Sequence, residues 1–399
     1  MAEAARARRR ARLVLAACTG AAAGALGALG AAWWLWGAGA GAARGGSVGA
    51  GGGGGGGGAG APPAGAGGGA GGGGGGGLEA HFAFVRAVAD GTTAPALLPG
   101  LRARVHALAD VGALTAELQA GGLGPAEKLR VWGALKECAF VRSLGGMWGG
   151  VLLVVLCRVQ LCILGRHMYV ESRMEEEAAG GGGGLGAPSL DPILQQAFLA
   201  CAEGFCHRGA GLVVERMERA ARGTVGHIGL DGTFRLPEAI GALAFLSATF
   251  EADAAARGWT ELLVPRPEEE AADGAGAAAG GGVGAGAGAG AGGIGGRVAA
   301  MVDELRAITG TPAFAAAVRA ATQIAAQQVS AGVADSFRGE PELPFAKVVP
   351  AVARAAQGLF SDPEAFVQGV VGTPEMERLC AEVFSTIPEP SARAQPAAY

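Results

Sequence analysis

The stretch VLLVVLCRVQLCILGRHMYV, residues 151–170, decides the fold. No glycine or proline interrupts residues 151–164, where Arg158 and Gln160 are the strongly polar side chains. A membrane span, a buried strand pair and a buried helix are the candidates. The ten Val, Leu and Ile residues of 151–164 favour insertion by roughly 0.3–0.6 kcal/mol each, and a central arginine opposes it by roughly 2.5–3.5 kcal/mol. Gln160 opposes it further, so the sum is near balance, and a span needs about 20 mostly apolar residues. The β-branched content suits a strand. Length argues otherwise, because strands usually end within about 4–8 residues and no turn signal precedes Gly165. The stretch reads as a core helix, apolar on nearly all sides and enclosed by other elements. Arg158 must then meet a carboxylate or carbonyl groups, or reach the surface with its stem buried.

Composition agrees with one domain of ordinary-to-large size. The chain has 399 residues, of which 76 are glycine, many in low-complexity runs. Half the residues are apolar, enough for a core. A net charge of −4 with dispersed Lys and Arg gives no basic stripe, which argues against nucleic acid as a partner. The cysteines are Cys18, Cys138, Cys157, Cys162, Cys201, Cys206 and Cys380. Their odd number and apolar surroundings read as buried hydrophobes in a reducing compartment, not a disulfide framework. Cys201, Cys206 and His207 could be imagined around a metal, but no C-x-x-C pair or second ligand cluster accompanies them. No metal site is expected.

Residues 1–12 carry Arg6, Arg8, Arg9, Arg10 and Arg12. Residues 13–36, LVLAACTGAAAGALGALGAAWWLW, are long enough to cross a bilayer, and Trp33, Trp34 and Trp36 suit one interface. A cleaved targeting peptide is the competing reading, since Ala38-Gly39-Ala40 resembles a cleavage site. The apolar run exceeds the usual signal-peptide core of about 7–15 residues, which favours an uncleaved anchor. Residues 37–77 are nearly all Gly and Ala and read as a flexible tether. A helical domain is expected over residues 78–386, with a low-complexity insertion at 268–296 and a loose tail at 387–399.

Within that domain the signals are helical. Helices are expected over 78–89, 101–108, 111–118 and 126–143, with a connection at 91–99. A bend at 145–150 is expected to lead into the organising helix. An acidic and then Gly-rich loop is expected over 175–184. Asp191-Pro192, Thr311-Pro312 and Asp362-Pro363 are cap-plus-proline helix starts. Further helices are expected from 192 toward 222 with a possible interruption at 209–211, and over 236–256, 297–308, 312–337, 343–359, 362–371 and 373–384. Strand signals are scarce. The fold class is all-α, a bundle of roughly eight to ten helices around the long apolar one.

Catalytic patterns are missing from the sequence. His81, His106, His167, His207 and His227 stand in no H-E-x-x-H motif and beside no nucleophile elbow. Glu175-Glu176-Glu177 and Glu268-Glu269-Glu270 read as solvated faces. No catalytic residue, cofactor or small-molecule substrate is expected. The more informative cluster is apolar. Trp132 and Leu135 lie at i, i+3, and Leu114 and Leu118 at i, i+4, so each pair shares a helix face. From the residues alone, all four read as core.

Three motifs in order carry a family resemblance. Residues 153–161, LVVLCRVQL, resemble the central helix of the peroxin-3 family, the peroxisomal membrane-protein import receptors. Lys128-Leu129-Arg130-Val131-Trp132, followed by Phe140-Val141-Arg142-Ser143, is similar to the same family at the same spacing. The third match is residues 343–350, LPFAKVVP. Weaker echoes are His81-Phe82, residues 98–102 (LPGLR) and Thr311-Pro312-Ala313-Phe314. The resemblance implies a non-enzymatic docking receptor in the peroxisomal membrane, single-pass, with its main domain in the cytosol. Charge alone would keep the N-terminal arginines in the cytosol, whereas the family places that end on the organelle side; the family orientation is followed. It also implies a groove at one end of the bundle that receives an amphipathic helix of peroxin-19, the soluble carrier of membrane proteins. Thr115, Leu118, Trp132, Leu135, Lys136 and Lys347 match groove positions, with apolar anchors for affinity and lysines for acidic positions of the ligand. Peroxisomal lipid is the other expected partner. The alternatives are a structural adaptor for peroxisome positioning and a membrane-tethered enzyme subunit.

Overall fold

The computed structural model describes residues 75–178, 190–264 and 293–386; the expected anchor at 13–36, most of the tether and the tail lie outside them. The described chain is almost entirely helical. Helix α1 (Gly75–Val88) passes through a π turn (Ala89–Thr93) into α2 (Ala94–Leu108), and α3 (Val111–Gln119) follows. Helix α4 (Pro125–Ala178) has 54 residues, roughly 80 Å at 1.5 Å per residue. Then come α5 (Pro192–Gly204), a second π turn (Phe205–Gly209), α6 (Ala210–Thr224), β1 (Thr233–Arg235), α7 (Leu236–Arg257) and the short α8 (Trp259–Leu263). The last group is α9 (Ile294–Thr309), α10 (Pro312–Asp335), β2 (Glu342–Pro344), α11 (Phe345–Leu359), α12 (Pro363–Val371) and α13 (Pro374–Ser385). β1 and β2 pair antiparallel, with Phe234 opposite Leu343.

The organising stretch is the axis of the bundle. Every residue from 143 to 166 is buried, and α1, α2, α6, α10, α11 and α13 all pack on α4. Length and hydropathy alone would let α4 cross a membrane, but its most apolar stretch is wholly enclosed by protein. Gln160 is satisfied by donating to the Phe198 carbonyl at 2.9 Å. Arg158, 2% exposed, finds its carboxylate in Asp90 of the first π turn, with Nε 2.9 Å from Oδ1. Its Nη2 is 3.7 Å from Glu377 of α13, which also pairs with Arg86 of α1. Burial pushes the Asp90 carboxyl up to about 6, against the opposing pull of Arg158.

Several expected boundaries are corrected. The glycines at 145–150, where a bend is expected, lie inside α4, which runs through them as one helix. They are contact points. A methyl group at Gly149 would meet Leu101 at 3.5 Å, and one at Gly150 would come within 2.7 Å of Phe360. Gly165 works similarly, since a Cβ there would stand 2.5 Å from Val85. The helix gives up about 1 kcal/mol of propensity per glycine and gains close approach of its neighbours. Gly165→Ala should therefore lower stability by about 1–3 kcal/mol through overpacking against α1. A melting temperature equal to that of the unsubstituted chain would refute this packing role.

The expected connection at 91–99 is helical as well. Pro95 occupies the first turn of α2, where a missing N–H is harmless. Pro99 lies inside the helix, and burial of Leu97, Leu98, Leu101 and Val105 outweighs its cost. α4 extends to Ala178, past the loop expected from 175. The break expected at 209–211 falls at 205–209 as a π turn. α9 begins at Ile294, inside the segment read as insertion. Residues 342–344 form β2 rather than the start of α11. The cap-plus-proline starts stand as expected: Asp191 accepts from the Ile193 N–H at 2.8 Å, Thr311 from Phe314 at 3.2 Å and Asp362 from Ala365 at 3.0 Å.

Candidate partner-binding groove

Two helices build the candidate surface. Asp110 caps α3 by accepting from the Ala113 N–H at 2.9 Å. No residue of α3 is fully buried, so this helix lies as a shelf on the bundle. Gly121 and Gly122 follow with φ of 75° and 81°, a left-handed turn that suits glycine and returns the chain toward α4. At the start of α4 the Glu127 carboxylate accepts from the Gly124 N–H at 3.0 Å. Glu117 of α3 and Arg130 of α4 form a solvent-exposed ion pair at 3.8 Å across the two helices.

The six expected residues divide into three settings. Thr115 and Leu118 are half-buried on the shelf, and the Thr115 hydroxyl donates to the Val111 carbonyl at 2.8 Å. Trp132 is 41% exposed, a large amount for the largest apolar side chain. Leu135 and Lys136, by contrast, are buried. Lys136 is 4% exposed, and its Nζ donates to the carbonyls of Gly226 and Ile228 at 2.8 Å each. Burial lowers its pKa, with Glu137 acting the other way. This ammonium is committed to the loop after α6, and it pins that loop beside α4. Lys347 is exposed in the first turn of α11. Its neighbour Phe345 is fully buried, with its ring 4.7 Å from Phe234 and 5.9 Å from Phe140 of α4. Trp132, Lys136 and Phe140 recur at four-residue spacing, so one face of α4 runs from the exposed indole into the core beneath α11.

Leu129 is the residue that sequence reasoning did not place in the groove. It is 68% exposed and stands at i−3 from Trp132. The signal was in the sequence: a leucine between Lys128 and Arg130, one turn before a tryptophan on a helix with charged flanks. Together Leu129 and Trp132 form an apolar strip beside a helix that is itself incompletely covered.

Several other chemistry-bearing residues are structural. His81 is buried with Nε2 2.8 Å from the Gly165 carbonyl. His167 and Arg166 engage Glu304. Burial raises the Glu304 carboxyl, but hydrogen bonds from His167 and Arg166, and their charge, outweigh it and hold it below the usual range. Burial pushes the Cys157 thiol up to about 12, so it stays protonated and unreactive. Among the described residues, Cys201, Cys206 and His207 included, no group of three His, Cys, Asp or Glu side chains could hold a metal.

Fold and surface together define the class: an all-α scaffold with an open apolar strip at one end of a long core helix. No protein-family model matches the chain. Among curated proteins it is 31% identical over 154 residues to peroxisome biogenesis protein 3-1 of Arabidopsis thaliana, covering 36% of this chain and 40% of that protein. Peroxisome biogenesis protein 3-2 of the same plant is 36% identical over 97 residues, 24% of this chain and 27% of its own. Human peroxisomal biogenesis factor 3 is 28% identical over 144 residues, 36% of each chain. These matches support the peroxin-3 family for the aligned stretch. The matched stretch spans two fifths or less of these relatives' length.

Proposed function

We propose that this chain serves peroxisome biogenesis as a docking receptor held in the peroxisomal membrane by residues 13–36, with its helical domain in the cytosol. Its partner is an amphipathic helix of peroxin-19. The observation that supports this reading is the exposed Leu129–Trp132 strip beside the half-covered Thr115 and Leu118. Helix-in-groove recognition needs apolar anchors spaced by three or four residues on an incompletely buried surface. Lys347, exposed in the first turn of α11, supplies a positive charge for an acidic position of the ligand. Lys136 contributes by holding the 226–228 loop. Docking brings the carrier and its cargo next to the bilayer, and no bond is made or broken.

Titration with the peroxin-19 helix tests the proposal. A chain lacking residues 1–37 should remain soluble and bind the helix with unchanged affinity, because the groove lies beyond the tether. A folded truncated domain with no measurable affinity would overturn the docking role.

A further inference from the structure

A small recess of mixed lining lies beside α4, one to two turns beyond the groove. It opens between α2, α4 and α11, and its polar lining is Arg102, His106, Arg142, Gln357 and Ser143, whose hydroxyl donates to the Val352 carbonyl. Leu101 and Phe360 are among its apolar walls. Arg102 and Arg142 are half-buried, and among the described residues neither forms an ion pair with a carboxylate. Arg86, Arg158, Arg166 and Arg216 each meet a Glu or Asp, whereas Arg104, half-buried on the same helix as Arg102, has a buried Nε without a hydrogen-bond partner.

We propose that this recess binds an oxyanion with two negative charges, such as a phosphate monoester group. Two guanidiniums balance a dianion, where a single carboxylate would leave one uncompensated. They also supply the planar N–H pairs that match phosphate oxygens. The His106 ring and the Gln357 amide add further donors. Free space in the recess is about 10 Å³, too little to enclose the anion, so the anion sits at the mouth beside the half-buried arginines.

The electrostatics of the empty recess point the same way. Burial pushes His106 down to about 4, and the charges of Arg142 and Arg102 add to the shift. Burial also lowers Arg142; Cys138 and Asp110 oppose this, and Arg102 reinforces it. The cations therefore crowd one another, with Asp110 the opposing carboxylate on Arg142 and none in direct ion-pair contact. A bound dianion relieves that repulsion and raises the His106 pKa, so binding takes up a proton. Affinity for sulfate, whose own charge is constant near neutrality, should strengthen as pH falls from 7 toward 5.

The full-length chain in phosphatidylcholine vesicles is the material for the test, read by thermal melting at fixed ionic strength. One arm adds sulfate or glycerol 3-phosphate against a chloride reference. The other replaces part of the lipid with phosphatidic acid, so that the phosphate arrives on a headgroup. The expected result is a saturable rise in melting temperature in at least one arm, and the arm that responds identifies the source. Arg102→Gln with Arg142→Gln should weaken the response at least tenfold, yet melt no lower than the unsubstituted chain in chloride, because repulsion has been removed. Gln357→Glu is the second variant. It places a carboxylate in the recess, so it should melt higher in chloride and lose the oxyanion response. No rise in either arm, or an undiminished rise in either variant, would overturn the proposal.

Discussion

Trp132→Ala should leave the helical domain folded and weaken binding of the peroxin-19 helix by about 2 kcal/mol or more, roughly thirtyfold. Core aromatic truncations cost about 3–5 kcal/mol of stability. With two fifths of the residue already exposed, a loss of about 1–2 kcal/mol is the scale for the buried remainder. Melting and titration on one variant separate the two roles. A fall in stability on the core scale, with affinity intact in the folded fraction, would remove Trp132 from the groove. Leu129→Ala is the companion variant. Its side chain is more exposed still, so binding should weaken with almost no change in stability.

The largest effect on stability should come from Arg158→Met. Methionine roughly keeps the volume of the side chain, but Asp90 is left buried without its partner and Glu377 loses a second cation. Breaking a buried ion pair in this way costs about 3–5 kcal/mol. The loss should depend on pH. Asp90 already has a folded pKa near 6, above the unfolded carboxylate value, so its folded form takes up a proton as pH falls. Its contribution to stability is therefore fully present below the unfolded pKa and is lost as pH rises through the folded one. Without Arg158 the folded pKa moves higher, and protonation removes the unpaired charge. The variant should be most destabilised at pH 8 and recover part of the loss at pH 5. Denaturant titration at the two pH values checks this, and an equal or greater loss at pH 5 would refute the assignment.

Much of this architecture was legible because its signals are local. Asp191, Thr311 and Asp362 act within three residues of themselves, and each begins a helix where expected. The uninterrupted apolar run of α4 could satisfy its composition only by burial. Where the expectation failed, tertiary packing had overridden a local signal. Pro99 looked like a connection until buried leucines on its own helix made the helical form worth keeping. The contact role of the glycines at 146, 149 and 150 was not legible because their packing partners, Leu101, Phe360 and Phe366, lie far off in sequence. The groove was legible to the same extent. Trp132 carries its signal in its neighbours, whereas the commitment of Lys136 rests on carbonyls some 90 residues away and nothing local announces it.

The cluster around Arg158 also has a mechanical side. It gathers α1, the first π turn, α4 and α13 at one point, and α1 is the element from which the N-terminal chain departs. Tension applied through that chain enters at α1 and acts on Val85 against Gly165, and on the Arg86–Glu377 and Asp90–Arg158 pairs together. Gly165 and Arg158 stand about two turns apart on α4, so these contacts tie α1 to that helix at two levels. The final helix, riveted into the same cluster by Glu377, then shares the strain with the first.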